Sequence, residues 1–172
     1  MEIKVNESNF IKTCKIFLRE WFENYDDMII PVAVFRGEDG LLQVQTPSVE
    51  GVSPGELHEY FFDCMVDMIQ RLKITELFIG YQGFTLMGDA ENEEEEKEGT
   101  TIRFADQPLP WGEKNGKAVR VLVGTFYSDQ EDMVWIAQIH GTTVGEWRDI
   151  SSNQNRFGFE GLWKLAKSYL NN

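Results

Sequence analysis

Histidine and cysteine are scarce in this chain, two residues of each among 172, and basic residues are outnumbered, 16 Lys and Arg against 29 Asp and Glu. The cation deficit gives a formal net charge of −13. Affinity for nucleic acid comes mostly from Lys and Arg displacing condensed counterions, and no basic run occurs, so direct nucleic-acid binding is not expected. Long hydrophobic runs are also missing. The stretch Met28 to Phe35 is far short of the roughly 20 apolar residues that span a bilayer, so no membrane span is expected. Met1 to Phe10 lacks a basic segment followed by an apolar one, which points to a cytoplasmic protein. Cys14 and Cys64 both fall at apolar positions of expected helices, where a thiol behaves as a small hydrophobe; one bridge between them remains open.

With only His58 and His140 available, the usual catalytic signatures are absent. His58-Glu59 lacks a second His four residues on, since position 62 is Phe, so no zinc-protease pattern exists, and His58 reads as a surface residue of a first helical turn. No Gly-x-Ser-x-Gly elbow anchors a nucleophilic serine. Neither phosphate-binding glycine motif is present, and Gly80, Gly83 and Gly88 read as bends or bulges of a strand. No metal or cofactor is therefore expected. Acids do pair at Asp26-Asp27, Glu38-Asp39 and Asp129 with Glu131-Asp132, but turns and solvated faces collect carboxylates for ordinary reasons.

Apolar residues make up 42% of the chain and aromatics 13%, enough for a folded core and too many for a disordered acidic chain. The length fits one domain, 1–172. Phe10, Cys14, Phe17, Leu18, Trp21 and Tyr25 recur at spacings of three and four and predict a helix over about 9–23, with Ser8 as its cap. A short basic stripe, Lys12, Lys15 and Arg19, lies on its polar side. Met28 to Arg36 and Leu41 to Thr46 predict a hairpin about the turn Gly37-Glu38-Asp39-Gly40. Pro31 points to an edge position or a bulge. Ser53, Pro54 and Glu56 form a capping-box pattern that opens a helix running from Pro54 to Lys73, with Leu57, Phe61, Cys64, Met65, Met68 and Leu72 on its core face. Thr75 to Gly88 reads as a long strand, Thr100 to Phe104 as a short one, and Ala118 to Ser128, Asp132 to His140 and Thr143 to Ile150 as an antiparallel meander with both faces largely apolar. Phe159 to Leu170 reads as a docking helix. The expected class is α+β: a mainly antiparallel sheet, N-terminal hairpin plus C-terminal meander, packed with two or three helices.

Charge is distributed unevenly. Residues 1–88 carry 7 basic and 14 acidic groups, residues 89–98 carry 1 and 7, and residues 99–172 carry 8 of each. The run at about 89–99, which includes Glu93, Glu94, Glu95 and Glu96, repels itself and reads as a flexible connector. On the second helix Glu56, Glu59, Asp63 and Asp67 form a stripe nearly opposite the core face. A helical rise of about 1.5 Å per residue spaces them by about 4.5–6 Å, of the order of phosphate spacing along a nucleic-acid backbone. Phe62, Val66 and Ile69 make a second apolar patch on a third side of that helix, which suits contact with the first helix or a partner, including a homo-oligomeric one. Trp111, between Pro110 and Gly112, is either an interface anchor or a lid over a core.

The segments Gly83 to Met87, Val119 to Phe126, Met133-Val134-Trp135-Ile136-Ala137, Gly145-Glu146-Trp147 and Asn155-Arg156-Phe157 resemble, in hydrophobic pattern, small uncharacterised acidic α+β proteins of phage and bacterial genomes. The resemblance implies a phage or mobile-element accessory protein and brings no activity or site with it. The expectation from the residues is a non-enzymatic interaction module, an inhibitor or nucleic-acid mimic, that meets a basic partner protein through Glu56, Glu59, Asp63, Asp67, the 89–98 run and Trp111. The alternatives are a small enzyme using carboxylates with His58 or His140, with or without a divalent cation, and a structural or assembly subunit.

Overall fold

The computed structural model describes residues 9–25, 31–48, 50–53, 55–86, 102–104, 118–151 and 159–170. Its elements are α1 (Asn9–Tyr25), β1 (Val32–Gly37), β2 (Leu42–Gln45), α2 (Leu57–Leu72), β3 (Ile74–Leu86), β4 (Arg103–Phe104), β5 (Ala118–Ser128), β6 (Asp132–His140), β7 (Thr143–Val144), β8 (Arg148–Asp149) and α3 (Leu162–Leu170). This is the expected α+β class. The sheet runs β2-β1-β3-β5-β6-β7, with β4 added to β3 and β8 to β6, and its ladders are antiparallel.

Alternation along the central strands sends apolar side chains to both faces, and each face has its own core. On one side Ala33, Phe35, Leu77, Ile79, Tyr81, Val121, Val123 and Val134 pack with Phe61, Met65, Met68 and Ile69 of α2 and with Leu162, Trp163 and Ala166 of α3. On the other, Val32, Val34, Phe78, Leu122, Phe126, Trp135 and Ala137 meet Phe10, Ile11, Cys14, Leu18 and Phe22 of α1. The α1 residues repeat at helical spacing and are buried, and burying each large one contributes about 1.5–3 kcal/mol relative to leaving it in water. The meander is thus covered on both sides, as its two apolar faces require.

Gly80 and Gly124 face each other across β3 and β5 in an unbroken register. A Cβ on Gly80 would lie 2.0 Å from Leu18 Cδ1, and one on Gly124 would lie 2.6 Å from Phe78 Cζ. Gly80 therefore marks no bend. It makes room for α1 to settle on the sheet. Gly83 likewise lies within continuous pairing, opposite Val121 on β5 and Phe104 on β4.

Several boundaries differ from the expected ones for identifiable reasons. Gly55 has φ +91, a left-handed conformation that a right-handed helix cannot contain, so Gly55 stands before the helix, and the Glu56 N–H bonds to Ser53 O at 3.1 Å. The helix begins at Leu57, and Glu56 caps it without a side-chain hydrogen bond. Pro54 lies outside the described residues. The helix ends at Lys73, itself left-handed at φ 50 and ψ 52, and β3 begins at the next residue. Pro31 does not mark an edge: β1 is paired on both sides, to β2 and to β3, and Pro31 precedes its first ladder residue. A register shift against β3 falls at the other end, between Arg36 and Gly37. The expected strand 143–150 is split into β7 and β8. The last helix starts at Leu162, after a turn in which Gly161 has φ +78. Ser8, Met28, Gly88, the pair Asp26-Asp27 and the run Asn155 to Phe157 lie outside the described residues.

Candidate interaction surface on the second helix

The acidic stripe is built by the way α2 buries its other side. Phe61, Met65, Met68 and Ile69 are buried in the sheet core, which turns Glu59, Asp63 and Asp67 outward, and Glu56 at the cap is also exposed. Glu59 stands in the first turn, where the positive end of the helix dipole favours an anion. Arg71 lies 3.4 Å from Asp67, both side chains well exposed, and such a pair is worth little to stability and is easily opened. Glu93 to Glu96, the rest of the 89–99 run and Trp111 lie outside the described residues.

The second apolar patch belongs largely to this chain. Ile69 is fully buried, and Phe62 and Val66 are half-buried against the core that α3 completes. Gln70 donates to Ala166 O at 3.4 Å. The third side of α2 therefore meets α3, a contact that the sequence reading did not consider. Cys64, expected on the core face, is instead half-buried on the flank that faces β2. Its hydrogen bond to Tyr60 raises the Tyr60 hydroxyl above its usual range. Cys14 lies in the α1 core on the other side of the sheet, and burial pushes its thiol up to about 12, with Glu76 adding to the shift. Both thiols are free.

Beside that flank lies β2, the last strand of the sheet, whose four residues are all exposed. Where β2 ends, a cleft of about 180 Å³ separates Gln45, Thr46 and Pro47 from Tyr60, Cys64, Asp67 and Arg71 of α2. Of the residues expected to meet a partner, Asp67 lines this cleft, and none falls on β2. The signal for this edge was the run Leu41-Leu42-Gln43-Val44-Gln45-Thr46, six residues with no charge, glycine or proline.

Two larger hollows lie elsewhere. One, of about 650 Å³, is lined by Lys12, Lys15, Arg19, Glu20 and Trp147 among others. Two of its cations have structural work: Arg19 donates to Gly145 O at 2.7 Å, and the Lys15 ammonium sits 4.2 Å from the Trp135 ring centroid. The other, of about 570 Å³, lies at the β5–β6 turn between Asp129, Glu131 and Asp132 and the α3 residues Trp163, Lys164 and Lys167. There the Trp163 indole donates to Asp129 at 3.0 Å, Lys167 donates to Ile74 O at 2.9 Å, and burial raises the Asp132 carboxyl above its usual range.

Neither histidine lines any of these three hollows. His58 is half-buried, with its ring 5.7 Å from that of Phe159, so it is less a surface residue than its place in the first turn predicts. His140 is exposed at the end of β6. Among the described residues, no group of three or more His, Cys, Asp or Glu side chains is placed to hold a metal ion, and no helix is long and apolar enough to cross a membrane. No family model, curated protein or solved structure matches the chain.

Proposed function

We propose that this chain is a non-enzymatic, cytoplasmic interaction module that binds a basic partner protein, as an inhibitor or nucleic-acid mimic. The observation that carries the reading is the α2 surface: Glu56, Glu59, Asp63 and Asp67 stand in water along one side of a helix whose opposite side is anchored in the sheet core. A row of anions on a rigid support needs little ordering when a cationic surface arrives, which is where preorganised binding gains its affinity. The 89–98 run, with seven further acids, adds to the field that steers such a partner.

The test is capture from the source cell at low and high salt, comparing the native chain with a variant in which Glu56, Glu59, Asp63 and Asp67 are all Lys and with one lacking 91–98. The helix reversal is expected to lose a basic, salt-sensitive partner, and the loop deletion to weaken its capture much less. Capture that survives full reversal and is indifferent to salt overturns the reading.

A further inference from the structure

The two sides of β2 are unlike. On one, its residues pair with β1, Leu42 opposite Arg36 and Gln45 opposite Ala33. On the other, no strand of the described residues pairs with it, and Leu41 (65%), Leu42 (51%) and Val44 (48%) are left exposed by the described residues around them. An open strand carries a row of unpaired N–H and C=O groups, and proteins normally blunt such an edge with charge, proline, a bulge or a covering segment. The run Leu41 to Thr46 has no charge and no proline.

We infer that β2 and the α2 cleft beside it receive an extended, basic segment of the partner, added to the sheet as a further strand. This rests on the proposed reading of α2 as a surface for a basic partner, and it specifies how the partner is held. Strand addition takes its affinity from main-chain hydrogen bonds and its selectivity from where alternate side chains fall. Val44 lies opposite Val34, which belongs to the α1-side core, whereas Gln43 and Gln45 lie opposite Phe35 and Ala33, which belong to the α2-side core. An added strand therefore sets one row of side chains beside Leu42 and Val44 and the other toward α2.

The charges around the edge choose the occupant. Glu38 and Asp39 stand exposed in the turn at one end, Glu50 in the loop beyond the other, and Asp67 on the helix wall of the cleft, with Arg71 as the cation of the cleft. A second copy pairing through the same edge sets these acids against their own kind on a chain of net charge −13. A segment alternating small apolar residues with Lys or Arg satisfies both rows: apolar groups on Leu42 and Val44, cations toward Asp67 on the α2 side.

The probe is a capped octapeptide of alternating Val and Lys, compared with the same peptide N-methylated at its six central residues. The second keeps the charge and loses the backbone donors. The first is expected to bind the native chain at least about tenfold more tightly, since each net hydrogen bond is worth only a modest amount, and to slow amide exchange at Leu42 to Gln45. Val44→Lys, an exposed edge substitution, should abolish that difference. Equal affinity of the two peptides overturns strand addition while leaving the charge reading standing, and binding of neither peptide at low salt also overturns it; the helix-reversal capture judges the charge reading separately. A concentration-dependent dimer that Val44→Lys dissolves and the peptide does not displace assigns the edge to a second copy and overturns the inference.

Discussion

The sheet has two ends, and they are finished differently. At the β6 end the outer partners are two-residue strands, β7 and β8, separated by Gly145 to Trp147, and β8 is the charged pair Arg148-Asp149. The backbone there is also engaged further, by β6 and by α1. Gly145 N–H bonds to Gln138 O at 2.8 Å, Arg19 donates to Gly145 O, and Val144 N–H donates to Glu23 Oε1 at 3.4 Å. At the β2 end none of these devices appears among the described residues: the strand is uncharged, regular in register and exposed. The two ends share one ladder chemistry, so the difference lies in where the helices fall. From the α1 core face, α1 reaches across to β7, while α2 and α3 cover the opposite face and leave β2 beside a cleft.

The comparison breaks most severely if α1 is unseated. Gly80→Ala places a methyl group into Leu18 and should cost about 1–3 kcal/mol by overpacking, read from urea unfolding. Amide exchange at Thr143 to Gly145 should speed up with it, turning the closed end into an open one, and adding Leu18→Ala should recover part of the loss. A smaller step in the same direction is Arg19→Ala, which removes a charged donor from Gly145 O and should cost about 1–2 kcal/mol, with faster exchange confined to the β7 end.

The cysteines sharpen the contrast without altering the fold. At pH 8 a thiol reagent should label Cys64, which lines the β2 cleft, and leave Cys14 untouched until the protein unfolds, because a thiol pushed up to about 12 holds almost no thiolate there. Since the folded value lies above the ordinary 9.0, the contribution of protonated Cys14 to stability is complete below about pH 9 and is lost as pH climbs toward 12. The smallest effect on stability is expected from Val44→Lys, within about 0.5 kcal/mol of native as for other exposed positions. A large loss would mean that β2 is held by more than its ladder to β1.

What could be read from the sequence was whatever local periodicity controls. The α1 stripe, the turn between Gly37 and Gly40, and the two-sided strands β5 and β6 follow from spacing alone, and so does the outward row Glu56, Glu59, Asp63 and Asp67. What escaped depends on residues far apart in the chain. Gly80 resembles a bend until Leu18 is seen above it. Phe62, Val66 and Ile69 resemble an open patch until α3 arrives from the far end of the chain. Pro31 suggested an edge strand, yet the edge went to β2 because β3 returns to the other side of β1. Ser53, Pro54 and Glu56 match a capping box, but the pattern carries no information about the conformation of Gly55 between them. The cleft beside β2 was illegible for the same reason: its walls are two segments whose adjacency no local pattern records.

The junction at Lys73 bears on what such a cleft can accept. A single residue joins α2 to the central strand β3, and Ile74, immediately after it, is already paired with Gly37 at the end of β1. With no slack at that end, the helix cannot swing outward to admit a bulkier guest without unzipping the sheet. The gap between α2 and the end of β2 therefore has a width set by the chain itself: if the proposed cationic segment enters there, its side chains would be sorted by thickness, a property that charge alone does not measure.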